Sequence, residues 1–77
     1  MNTSLNAAEK WLNEMGIKTI ARPTCLMVNR NDMVNTIDGE TPEISYGLML
    51  KELRVALNTT KIFWGGKDDD YLYLESF

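Results

Sequence analysis

Lys61-Ile62-Phe63-Trp64, then Gly65-Gly66-Lys67-Asp68-Asp69-Asp70, then Tyr71-Leu72-Tyr73-Leu74-Glu75 is the stretch whose reading decides the fold. Two short runs of β-branched, aromatic and aliphatic residues flank a segment of glycines and charges, the pattern of a β-hairpin with Gly65-Gly66 forming its turn. A period of two places Leu72 and Leu74 on one face and Tyr71 and Tyr73 on the other. Two packings satisfy that alternation. In one, the leucines and Phe63 face a core, and the tyrosines face outward with Ile62 and Trp64. In the other, the aromatics are the core and the leucines lie under a loop or a dimer partner.

Upstream, Thr41-Pro42-Glu43 combines a capping hydroxyl, a proline suited to the first helical position and an acid at the positive end of the helix dipole. Tyr46, Met49, Leu50, Leu53, Ala56 and Leu57 then form one face of a helix ending near Asn58, with Lys51, Glu52 and Arg54 outside it. Gly47 weakens such a helix, which leaves open a later start near Ser45 or Gly47. Further back, Asp38-Gly39 signals a turn, and Met33 to Ile37 forms an optional strand after a polar turn at Asn31-Asp32. Ile17 to Ala21 and Thr24 to Asn29 read as two strands broken near Arg22-Pro23. At the start, Leu5, Ala8, Trp11, Leu12 and Met15 recur at helical spacing. Thr3 or Ser4 can cap that helix, and Gly16 can end it with Ile17 folding back towards Leu12.

The spacing therefore predicts one α+β domain over residues 1–77, with two amphipathic helices on one face of a small, mainly antiparallel sheet of four or five strands. Its order is α-β-β-(β)-α-β-β.

Composition narrows the chemistry. There is no histidine among the 77 residues, which removes the usual triads, the common general base near neutral pH and the commonest metal ligand. The single cysteine, Cys25, allows no internal disulfide and no cysteine-based zinc site, and its setting before Leu26-Met27-Val28 points to core packing. The acids have no calcium-loop spacing, and Gly65-Gly66 lacks the continuation of a phosphate loop. No cofactor, metal site or catalytic residue is implied, and the expectation is a protein that is not an enzyme. Residues 1–6 carry no export signal, and no apolar run approaches membrane-spanning length, so a cytoplasmic location is expected.

What remains is binding. Trp64, Tyr71 and Tyr73 are residue types enriched in binding hot spots, and Asp68, Asp69 and Asp70 beside them favour a partner with a basic surface. The corresponding expectation is a small inhibitor or adaptor of a larger protein, of the compact regulatory kind that phages and other mobile elements encode. The alternative is a nucleic-acid-associated regulator using Lys18, Arg22 and Arg30 on a strand face, although a net charge of −3 makes nucleic acid the weaker partner. A third possibility is a structural homodimer closed by an apolar patch.

Overall fold

The computed structural model describes residues 3–77, with Thr3 described by its backbone alone. The elements are α1 (Thr3–Glu14), β1 (Thr19–Ala21), β2 (Leu26–Asn29), α2 (Arg30–Thr36), α3 (Pro42–Leu57), β3 (Ile62–Lys67) and β4 (Tyr71–Ser76). The four strands form one sheet in the order β1-β2-β4-β3, every neighbouring pair antiparallel. The α+β class and the helix-covered sheet follow the sequence pattern; the number of helices does not.

Leu5, Ala8 and Leu12 of α1 are buried against the sheet, as their spacing requires. α1 ends in a left-handed glycine: Gly16 has φ +84, and the Ile17 amide donates 3.1 Å to the Leu12 carbonyl, returning Ile17 to the core. The helix already includes Thr3 and Ser4, so Ser4 lies within the first turn, and the Thr3 side chain is outside the described residues. α3 begins at Pro42, with Thr41 Oγ1 accepting from the Ile44 amide at 3.3 Å. Asn58 closes it in the left-handed conformation. Gly47 does not delay the start, because the Thr41 cap, Pro42 and the burial of Ser45, Tyr46 and Met49 outweigh its cost of about 1 kcal/mol.

The optional strand over Met33–Ile37 is instead the second half of α2 with its C-cap. Asn29 accepts the Asp32 amide at 2.9 Å and so caps a helix where a turn and strand were expected. The Asp32 carboxylate also accepts the Lys18 amide at 3.0 Å, tying α2 to the residue that leads into β1. Met33 is fully buried, with Val34 and Ile37 packed beside it. That spacing fits a helix as well as a strand, and the cap decides between them.

All three helices contribute side chains to one core, which Leu26, Val28, Ile62, Leu72 and Leu74 complete from the sheet. β2 and β4 alternate buried and half-buried residues, so one face of the sheet is core and the other is open. Cys25 is not in the core; it is half-buried in the Arg22–Cys25 connection, where its carbonyl accepts the Arg22 amide at 2.9 Å. Among the described residues no helix is long and apolar enough to cross a membrane.

Two glycines test this packing in opposite directions. At Gly39 a Cβ would come within 2.7 Å of the Ser45 backbone nitrogen, and the Gly39 amide donates to the buried Ser45 hydroxyl at 3.0 Å. Gly39→Ala is therefore expected to lower stability by about 1–3 kcal/mol, as overpacking does. At Gly47 a Cβ would meet nothing within 4 Å, and Gly47→Ala should raise stability by up to about 1 kcal/mol. Urea unfolding midpoints read both changes.

Candidate functional site

The hairpin turn is built by Asp68 rather than by Gly65-Gly66. Asp68 Oδ1 accepts the amides of Asp70 at 2.8 Å and Tyr71 at 2.7 Å, while the Asp68 amide donates to the Tyr71 carbonyl at 2.8 Å. The two glycines lie inside β3. There the register slips between Trp64, opposite Leu74, and Gly66, opposite Tyr73, leaving Gly65 as the extra residue of a bulge.

That bulge reverses the expected faces of β3. A register running straight back from the turn sets Trp64 outward beside Glu75; the extra residue sets it opposite Leu74, on the helix side. Ile62 is buried there too, and Trp64 Nε1 donates 2.9 Å to the Tyr46 carbonyl of α3. Ile62 and Trp64 thus belong with the leucines, and Phe63 belongs with the tyrosines. Trp64 is a packing residue and does not join Tyr71 and Tyr73. The leucines Leu72 and Leu74 are core, as in the first of the two packings.

On the open face, Ile20, Met27, Tyr73 and Gly66 stand opposite one another across all four strands. Phe63, paired with Glu75, and Tyr71, paired with Asn29, extend this row along the sheet. The Phe63 and Phe77 rings lie 4.7 Å apart, and Phe77 is 85% exposed. Gly66 leaves room for Tyr73: a Cβ at Gly66 would sit 3.4 Å from the Tyr73 ring. The Tyr73 hydroxyl donates 2.5 Å to Asp68 Oδ2, which fixes the ring along the face towards the turn.

Arg30 locks the same turn from the helix side. Its Nη1 donates to the carbonyls of Asp68 at 3.3 Å and Asp69 at 3.1 Å, its Nε donates to the Tyr46 hydroxyl at 2.9 Å, and its amide donates to the Asp70 carbonyl at 3.0 Å. The hydrogen bond with Tyr46 holds the guanidinium more firmly in its cationic form. Arg30 is thus a structural clamp. Lys18 and Arg22 flank β1, with Arg22 Nε 3.4 Å from Met27 Sδ on the open face, whereas Arg30 is engaged with Tyr46 and the turn, so the three do not converge on one strand face. Beside the clamp an open cleft of ≈ 240 Å³ is lined by residues including Asn29, Val34, Pro42 and Asp70.

Asp68, Asp69 and Asp70 divide in role. Asp68 is occupied by the turn and by Tyr73, whereas Asp69 and Asp70 are exposed at its tip. Among the described residues no three acidic or cysteine side chains gather where they could hold a metal ion. Sequence reasoning overlooked a second apolar surface, where Ile44, Leu48 and Val55 of α3 are 45%, 42% and 75% exposed. Its signal was present, since these residues fall outside the buried set at near-helical spacing.

Comparison with protein-family models, curated proteins and solved structures finds no match to this chain.

The turn has a defined pH response. The Tyr73 hydrogen bond, then the Tyr71 and Asp70 amides, lower the Asp68 pKa; the same Asp68 bond raises that of Tyr73. A lowered carboxylate contributes stability above its ordinary value of 3.8 and loses it as pH falls through the lower folded value. A raised phenol contributes below its ordinary 10.0 and loses it as pH rises through the higher folded value. Asp68→Asn should therefore move the Tyr73 ionisation, followed by its ring-carbon NMR shift, to lower pH. An unchanged Tyr73 titration would contradict the pairing.

Proposed function

We propose that this chain is a small non-catalytic protein-binding module, an inhibitor or adaptor of a larger protein, of the compact regulatory kind that mobile elements encode, acting in the cytoplasm. One observation carries the reading. The open sheet face presents Ile20, Met27, Phe63, Tyr71 and Tyr73 together, while the helices pack on the opposite face. Large side chains fixed on strands lose little conformational freedom on binding, and contiguous apolar surface rimmed by charge is characteristic of interaction sites. Asp69 and Asp70, exposed at the end of this face, steer a partner with a basic surface. The free Cys25 thiol suits a reducing compartment.

The nucleic-acid alternative is the weaker reading, because Arg30 is engaged in the turn on the helix side and only Lys18 and Arg22 remain beside β1. The test is affinity capture from native lysate with nuclease, washed at low and high salt. Tyr73→Ala and Phe63→Ala should each weaken a stoichiometric protein partner by about tenfold or more, as loss of a central anchor does. Trp64→Phe should cost about 1 kcal/mol of stability through the lost indole hydrogen bond and leave the partner bound. Retention of the partner by Tyr73→Ala and Phe63→Ala, or recovery of nucleic acid alone, overturns the reading.

A further inference from the structure

We infer that the open sheet face docks a partner segment presenting an arginine side chain, received by a slot formed by Glu75, Tyr73 and Phe63. This deepens the protein-binding reading and rests on it.

The slot begins with the bulge. Glu75 stands opposite Phe63, and its side chain folds flat across Gly65, where a methyl group would collide with the carboxylate. The Tyr73 ring lies over the next residue, Gly66. Two successive glycines thus floor the carboxylate of Glu75, a half-buried residue, and an aromatic ring on one face. No hydrogen bond or ion pair engages the Glu75 carboxylate among the described residues. Of the nearby bases, Lys67 lies 3.8 Å from Glu43, Arg22 contacts Met27 and Arg30 clamps the turn from the helix side, while Lys61, whose carbonyl accepts the Phe77 amide beyond Glu75, is exposed and makes no ion pair with it.

In the free protein, water solvates Glu75. A purely apolar partner covering the face would strip that water and strand the charge, a heavy penalty for a carboxylate left without a cation. A docking segment must therefore carry one. A guanidinium fits better than an ammonium, since its planar fork meets both carboxylate oxygens while its face stacks on a ring. Tyr73 is suited to that contact, because donating its hydroxyl proton to Asp68 enriches the ring and strengthens cation–π attraction.

The test titrates the isotope-labelled chain with N-acetyl-arginine methylamide and, separately, with its neutral citrulline counterpart, following the Glu75 carboxyl carbon, the Tyr73 ring and the Gly65 and Gly66 amides. The expected result is saturable shifts at these positions with the arginine probe, at least about tenfold weaker binding of the citrulline probe, and loss of the preference in Glu75→Gln. Equal response to the two probes, or arginine shifts centred on Asp69 and Asp70 and unchanged in Glu75→Gln, overturns the slot. If the captured partner is weakened by Tyr73→Ala but indifferent to Glu75→Gln, the slot fails while the docking face stands.

Discussion

The pairing of β2 with β4 is the constraint on which the rest depends. It joins strands from opposite halves of the chain, setting Leu26 opposite Leu74 and Val28 opposite Leu72. All four side chains are essentially excluded from water. Burying each contributes roughly 1.5–3 kcal/mol, a large share of the stability available to so small a domain. Because strand side chains alternate, committing these four to the core commits Met27, Tyr71 and Tyr73 to the other face. The composition of the open face is thus a geometric consequence of the core, and a shift of register by one residue would exchange the two.

The charged groups serve the turn more than the surface. Arg30 and Asp68 approach the β3–β4 connection from its two sides, one donating to its carbonyls and the other accepting its amides. Asp68 also holds the Tyr73 ring, so the positions of the turn and of the aromatic face are coupled. This leaves Asp69 and Asp70 as the solvated acids of the tip and Glu75 as the carboxylate on the face itself. An acidic run that looks uniform in sequence therefore contains one structural residue and two exposed acids.

Much of this was legible from sequence where local rules act alone. The Gly16 ending of α1, the Thr41-Pro42 start of α3 and its Asn58 end follow from short-range chemistry, whereas the alternation of Leu72 and Leu74 leaves both packings open until pairing with β2 sets them in the core. The misreadings have other causes. Trp64 and Phe63 were placed on each other's faces because a single extra residue, Gly65, shifts the β3 register, and nothing in the alternation of Phe63-Trp64 announces it. Met33 to Ile37 is helical because Asn29 caps it, a local signal that the turn reading of Asn31-Asp32 passed over, and because Asp32 receives the Lys18 amide, a contact that exists only once β1 and β2 have paired. The α3 surface was missed because apolar residues on two sides of a helix blur the single stripe that an amphipathic reading seeks.

Mapping the contact directly on the chain decides whether the open sheet face is its working surface. With a captured partner added to protein labelled at its methyl groups, the account predicts that the Ile20 and Met27 signals shift or broaden together with the Tyr73 ring, while those of Ile44, Leu48 and Val55 on α3 stay in place. Movement of the α3 methyls with Ile20, Met27 and Tyr73 undisturbed would contradict it.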